Sequence, residues 1–351
     1  MDKSHEVLSK FDEYKKKKNM QNKYANLMVS VGVITYNHEE FIHQALESIL
    51  SQKCNFQFEV IIGDDCSQDK TQNIILDYEK KFSNKIKTHL NNVNKGLLAN
   101  FKFVTDNCNG KYITICAGDD YWNDPYKLQK QVDFLEANPD FGLVHSNVYL
   151  LKNDSVITPK KRYIPEGSIF TQIIIENNFI YALTACYRTE LFRKHVNIDE
   201  FIENGFLTED LPLWIELSRV TKFHYLDDKL ATYRIHENSL SNSSDFKKVE
   251  KLLWSTYEIR KYYIKKYSFV YNEEIVKQKL YYKLIKIAFL SNNFHKANKY
   301  SQKLQCSDLK IKSLTLLCSN KYIFNISYSL YYFLNFLRLY VLSLRFRLIK
   351  N

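Results

Sequence analysis

The 351-residue sequence predicts an α/β fold: a mostly parallel, Rossmann-like sheet flanked by helices, with a basic helical extension at its C-terminal end. Three observations lead there. Apolar runs rich in β-branched residues alternate with segments of helical periodicity up to about residue 150. The polar pairs Tyr36–Asn37, Asp64–Asp65 and Asp119–Asp120 each close one such run. Strand carboxyl ends are where open α/β sheets bind ligands. From about Phe246 onward the pattern turns helical, aromatic and basic.

The elements follow in order. Residues 1–27 form a charged leader without the apolar stretch of a secretory signal, which points to a cytoplasmic protein. Leu27–Asn37 reads as a buried strand. Phe41, Ile42, Ala45, Leu46, Ile49 and Leu50 recur at helical spacing. Phe58–Asp65 is a second strand, 69–82 a helix, 85–90 a third strand and 97–106 a helix. Lys111–Gly118 is a fourth strand. Asp124 before Pro125 reads as an N-cap with proline at the first helical position, followed by Leu128, Val132 and Leu135. Phe141–Leu151 is a fifth strand. Residues 151–240 show no clear alternation, and 281–304 read as a helical hairpin turning at Asn292–Asn293.

Seven scattered cysteines without a CxxC pair read as reduced thiols. The net charge of +11 is uneven: residues 245–351 carry +15 and the rest −4. Such asymmetry points the C-terminal third toward an anionic surface. No P-loop and no dinucleotide-binding glycine pattern is present. His38 and His43 lie five residues apart on a helix, which excludes a shared zinc face. What stands out is Asp119–Asp120. Adjacent acids at a strand end suit a hard divalent ion held by few carboxylates and by substrate phosphates.

"VSVGVITYNHEEFIHQALESILSQ", "FEVIIGDDCSQDKTQNII", "NKGLLANF" and "KYITICAGDDYWNDPYKLQKQVDFLEANPDFGLV", in this order, closely resemble family 2 glycosyltransferases of the GT-A fold. The resemblance covers about residues 28–241. It implies a nucleotide-sugar-binding half (28–150), an acceptor half (151–241) and an extension (242–351). It implies that Thr35 and Tyr36 line the nucleotide pocket. Asp65 would accept a hydrogen bond from the base, Asp64 would support that turn, and Lys95 and Asn100 would lie near the nucleotide. Asp119 would sit near the ribose and sugar, and Asp120 would ligate Mn²⁺ or Mg²⁺. Gly118 stands where the family's metal motif usually has its first acid. "TEDLPLW" matches the family's Glu-Asp motif, making Asp210 the general base and Glu209 its neighbour. In "YRIHENSLS", His236 would reach the metal or the diphosphate and Arg234 would stabilise phosphate charge. The implied activity is inverting transfer of a sugar from a nucleotide-sugar, UDP by family habit, to a glycan or lipid-linked saccharide of a bacterial surface polymer.

The last stretch, Lys321–Asn351, is too short in uncharged residues to span a bilayer. Leu330, Leu334, Leu337, Val341, Leu344 and Leu348 form a helical stripe beside Arg338, Arg345, Arg347 and Lys350, as in a helix lying in a lipid interface. The expected place is the inner face of the cytoplasmic membrane. No nucleic-acid-recognition motif accompanies the basic tail. A homo-oligomer is compatible with the sequence. The competing reading is a non-catalytic nucleotide-sugar-binding or membrane-binding protein on the same fold.

Overall fold

A computed structural model describes residues 27–159, 164–176, 178–236, 239, 245–305 and 309–331. The chain divides into two compact units, the first ending at Ile235 and the second starting at His236.

In the first unit, three consecutive βα steps build one side of the sheet. They are β1 (Leu27–Thr35), α1 (Ile42–Leu50), β2 (Gln57–Asp64), α2 (Thr71–Lys81), β3 (Ile86–Leu90), α3 (Leu97–Asp106) and β4 (Tyr112–Ala117). β1 lies between β2 and β4, and β3 pairs with β2, all parallel. Their run-like apolar sequences follow from burial on both faces. Val29, Val31 and Val33 of β1 and Val60 and Ile62 of β2 are buried together with Ile42, Leu46 and Ile49 of α1. Each such side chain contributes about 1.5–3 kcal/mol by leaving water.

Beyond β4 come β5 (Tyr121–Trp122), α4 (Lys127–Ala137), β6 (Phe141–Lys152), β7 (Ser155–Ile157), α5 (Phe170–Ile175), a 3₁₀ turn at Ala182–Thr184, and β8 (Cys186–Arg188). Then follow α6 (Thr189–His195), α7 (Ile198–Glu203), α8 (Asp210–Val220) and β9 (Lys222–Ile235). The sheet runs β3-β2-β1-β4-β8-β6-β9-β5, with β7 pairing β6. β6 and β9 pair in parallel, whereas β8 runs antiparallel to both β4 and β6. The sheet is therefore mostly parallel with antiparallel insertions. β9 is long and carries Asp227, Asp228 and Lys229 at its middle, which hides it from a periodicity reading.

One local expectation differs. The helix after Pro125 starts at Lys127, not at Pro125. The Asp124 carboxylate accepts from the Tyr126 amide (2.7 Å). It therefore caps a turn that leads into α4.

The second unit is helical: α9 (Phe246–Lys266), α10 (Glu273–Leu290), α11 (Phe294–Ser301) and α12 (Leu309–Leu317). Asp245, Asn272 and Asn293 cap the first three by accepting from Lys247, Glu274 and Lys296 amides. Tyr257, Leu280, Leu284, Ile285, Ala297 and Tyr300 are among its core residues. The leader (1–26), and the C-terminal stripe beyond Tyr331, lie outside the described residues. Among the described residues, no helix is long and apolar enough to cross a membrane.

Candidate active site

Three parallel strands deliver the predicted residues to one edge. Thr35 is the register partner of Asp64, and Ile34 that of Ala117, so the turns after β1, β2 and β4 adjoin. The Asp65 amide donates to the Thr35 carbonyl and the Gly118 amide to the Ile34 carbonyl.

The first turn places Thr35 buried and Tyr36 exposed. Asn37 adopts a left-handed φ of 55°, as Asn tolerates best among non-glycine residues. Its amide donates to Ser67 Oγ and its side-chain oxygen accepts from the Gln68 amide, which ties the first turn to the second. Asp64 is fully buried and accepts from the Ser67 amide and hydroxyl and from Gln72 Nε2. Asp65, also buried, accepts from the Lys95 amide (2.8 Å), the Gly96 amide (2.8 Å) and Asn91 Nδ2 (3.2 Å). Asp65 thus folds the 91–96 loop over the strand ends. Lys95 joins the site through its backbone. Asn100 is buried, and its Nδ2 donates to the Gly63 carbonyl (2.8 Å).

The third turn answers why two acids adjoin. Asp120 is buried and its Oδ1 accepts from the Arg234 amide (2.8 Å). The Arg234 Nε donates to the Asp119 carbonyl (2.8 Å), an NH2 group donates to Gln44 Oε1, and the guanidinium lies over the Phe41 ring. Arg234 therefore holds the turn from the last strand. Burial, and then the charge of Asp119, push the Asp120 carboxyl well above the usual carboxylate range, against the opposing pull of Arg234. Asp119 is the more exposed of the two, with Oδ2 3.9 Å from His38 Nε2. The other nitrogen of that imidazole, Nδ1, lies 3.1 Å from Thr35 Oγ1. His38 is thus a site residue that the sequence did not single out. Its signal, a polar residue directly after Thr-Tyr-Asn, was read only as part of a rejected zinc pair. Gly118 has a steric reason: a Cβ there would meet Thr35 Oγ1 at 2.7 Å and His38 Nδ1 at 2.9 Å. Any side chain at that position, an acid included, must displace Thr35 or His38.

Glu209 and Asp210 form a second cluster at the start of α8. Asp210 accepts from Asn178 Nδ2 (2.6 Å) and from the Leu211 amide (2.6 Å). Asn178 is itself oriented by the Ile180 amide, which donates to its Oδ1. Burial and the neighbouring Asp210 push the Glu209 carboxyl up to about 8. In the neutral range Glu209 keeps its proton. Asn178 is the other residue that sequence reasoning missed, since it lies in the stretch without periodicity. Trp122 and Trp214 are both buried. His236 opens the second unit, where its amide donates to Ser239 Oγ.

Among the described residues, no three His, Cys, Asp or Glu side chains cluster as an all-protein metal cage. The carboxylate donors at the strand ends are Asp119 and the Asp120 oxygen not held by Arg234. Such a sparse set fits an ion that arrives with a diphosphate, which supplies the remaining ligands together with water.

The sequence model of glycosyl transferase family 2 matches residues 30–199. EpsE of Bacillus subtilis, named as a glycosyltransferase, is 30% identical over 216 residues, 60% of this chain and 73% of EpsE. The chain belongs to glycosyl transferase family 2. TuaG of Bacillus subtilis, named as a glycosyltransferase of teichuronic acid biosynthesis, is 28% identical over 259 residues, 72% of this chain and 98% of TuaG. An uncharacterized protein of Mycobacterium tuberculosis is 31% identical over 220 residues, 62% of this chain and 61% of that relative, so the chain spans less than two thirds of its length. Two solved structures share the GT-A fold. S. aureus TarS 1-349, in complex with UDP-GlcNAc, is 18% identical with a TM-score of 0.53, covering 85% of this chain and 83% of that one. The mannosyltransferase PcManGT from Pyrobaculum calidifontis, in complex with GDP-Man and Mn²⁺, is 13% identical with a TM-score of 0.54, covering 87% and 86%.

Proposed function

We propose that this protein is an inverting glycosyltransferase. It moves a hexosyl or N-acetylhexosaminyl group from a nucleotide-sugar to a hydroxyl of a glycan or lipid-linked saccharide in bacterial surface-polymer synthesis. The observation that carries the reading is the pairing of two carboxylate clusters in one unit. One is a strand-end cluster of Thr35, His38, Asp65 and Asp119. The other is an Asp210 carboxylate oriented by Asn178 at a helix start. The nucleoside would lie against Tyr36 and the 91–96 loop that Asp65 closes. The sugar-diphosphate would lie against Asp119, with Asp120 behind it.

A sugar hydroxyl is a weak nucleophile, so a positioned carboxylate must take its proton as it attacks the anomeric carbon. Asp210 fits that role. The neutral Glu209 leaves it ionised without a second adjacent charge, and the Asn178 amide fixes one of its oxygens. Attack from the face opposite the leaving diphosphate inverts the anomeric centre. Asp119 and Asp120 would hold a Mn²⁺ or Mg²⁺ ion, which neutralises charge on the departing diphosphate when bound.

UDP is the favoured carrier. A UDP-sugar bound to TarS and a GDP-sugar bound to PcManGT leave both purine and pyrimidine donors to be compared. The name of TuaG supports a surface-polymer acceptor. A place on the inner membrane surface rests on the basic C-terminal third.

Thermal-shift titration of UDP, GDP and dTDP, with and without Mn²⁺, tests the site on wild type and Asp119→Ala. The expected result is one metal-dependent shift that Asp119→Ala abolishes, since ligand binding to the native state raises stability with concentration over Kd. Release of that nucleotide from its sugar conjugate by wild type then separates an enzyme from a binding protein. Folded protein that responds to none of the three nucleotides sinks the assignment.

A further inference from the structure

Lys127, the first residue of α4, is 0% exposed. Lysine is almost never fully buried unless paired with an acid. The partners of this ammonium are neutral. Nζ donates to Gln131 Oε1 (2.8 Å) and Thr114 Oγ1 (3.2 Å), and it sits 4.1 Å from the centre of the Trp122 ring. Burial pulls the group down to about 8, so the charge is held at a cost. An apolar side chain of similar length would fill the space at lower cost.

What the lysine touches is ordered in an unusual way. Thr114 Oγ1 donates to the Ala185 carbonyl (2.7 Å). Gln131 Nε2 donates to the Thr184 carbonyl (2.6 Å). Trp122 Nε1 donates to the Leu183 carbonyl (3.1 Å). Three consecutive carbonyls are each taken by one side chain, and those three side chains converge on one ammonium. The three belong to β4, α4 and β5, whereas the carbonyls belong to the turn before β8.

That turn has consequences on both sides. Trp122 lies two residues after Asp120. Upstream of Leu183, the same segment carries Asn178, which holds Asp210. The knot is therefore the buried tie between the strand end bearing the acid pair and the strap bearing Asn178, the partner of the candidate base. An ammonium suits the post because it offers three donors from one atom and a cation for a ring face.

We propose that Lys127 is a positioning residue that fixes the Asn178–Asp210 strap relative to the Asp119–Asp120 turn through Thr114, Gln131 and Trp122. This inference rests on the transferase reading for its catalytic consequence, but not for its structural one. Small displacement of a base from its hydroxyl costs rate and not donor binding, and a shift of about 1 Å can cost on the order of 100-fold.

The test has two arms, each on the full chain. In the first, hydrogen–deuterium exchange compares wild type, Lys127→Met and Leu135→Ala. Leu135→Ala opens a cavity on the same helix, two turns beyond Lys127, without removing any hydrogen bond of the knot. Lys127→Met is expected to speed exchange across residues 178–185 by tenfold or more, with β1 and β2 unchanged, while Leu135→Ala leaves 178–185 as in wild type. Wild-type protection of 178–185 in folded Lys127→Met overturns the proposal. If Lys127→Met does not fold, Gln131→Leu and Thr114→Val, which each cut one arm, carry the same comparison. In the second arm, turnover of the nucleotide-sugar is followed. Lys127→Met should lose at least tenfold in kcat with donor KM within twofold. An equal kcat loss in Leu135→Ala at matched Tm reduces the knot to ordinary packing and overturns the proposal. A wild type that turns over no nucleotide-sugar sinks the transferase reading, and the exchange arm still decides the knot.

Discussion

The donor-side edge and the acceptor-side cluster are built on opposite principles. At the strand ends the carboxylates are occupied. Asp64 and Asp65 each accept three hydrogen bonds, and Asp120 is held by Arg234. Around Glu209 the reverse holds. Thr208 Oγ1, Tyr187 Oη and Trp214 Nε1 are buried without a hydrogen-bond partner. Burial pushes the Tyr187 hydroxyl well above its usual range, and its ring packs edge-on to Trp214. Saturated groups preorganise a surface for a fixed partner, since their geometry is set before the ligand arrives. Unsatisfied buried groups cost about 1–3 kcal/mol each and mark a place whose hydrogen bonds are completed by something else. Among the described residues, the strand-end carboxylates are held in place, and three buried polar atoms near Glu209 have no hydrogen-bond partner.

The sharpest way to break this contrast is at its two centres. Asp210→Asn keeps the Asn178 contact in shape but removes the base. It should lower kcat by about 10²–10⁴-fold with nucleotide affinity within twofold, read by steady-state kinetics beside a UDP titration. Asp65→Ala should do the opposite. It frees the Lys95 and Gly96 amides and loosens the 91–96 loop, so nucleotide Kd should weaken by about tenfold or more while kcat at saturation falls less. If both variants change kcat and Kd together, the two clusters are one unit and the contrast fails.

A smaller effect is expected at Gly118. A methyl group there presses on Thr35 and His38. Gly118→Ala should destabilise by about 1–3 kcal/mol, as overpacking does, and should weaken metal-dependent nucleotide binding more than metal-free binding. Urea unfolding and a titration with and without Mn²⁺ check both parts. Retention of wild-type stability would mean that the Thr35–His38 pair is loose, and the strand-end edge less preorganised than described.

How far the sequence reached divides along the same line. The βα steps up to residue 150 were legible because burial on both faces leaves continuous β-branched runs. Turns tied by short polar side chains leave Thr-Tyr-Asn and Asp-Asp pairs that can be read directly. The later sheet was not legible. β9 is split by charged residues at its middle, and β8 has only three residues. Asn178 and Arg234 act through contacts 32 and 114 residues away in sequence, to Asp210 and Asp120, which no local pattern encodes. Arg234 was read as a phosphate ligand because its type fits one. The fold also uses it as the positive partner of the two adjoining acids.

The last and most gradual effect isolates the acceptor side through pH. Glu209 has a carboxyl raised from 4.5 to about 8 by burial and by Asp210. Below about pH 4.5 both folded and unfolded chains hold the proton. Between about 4.5 and 8 the unfolded chain has released it while the folded chain keeps it. Stability contributed by this group therefore falls as pH rises through that window, and levels off above about 8. Glu209→Gln is neutral in both states and removes the slope. Its urea midpoint relative to wild type should rise steadily from about pH 5 to about pH 8. The same variant should keep activity at neutral pH, where wild type already presents a protonated Glu209 beside an ionised Asp210. A wild type and variant with parallel pH profiles would mean that Glu209 is ionised throughout. Its two neighbouring charges would then need a bound cation at the acceptor side, and the unfinished cluster would be a second ion site instead of a base.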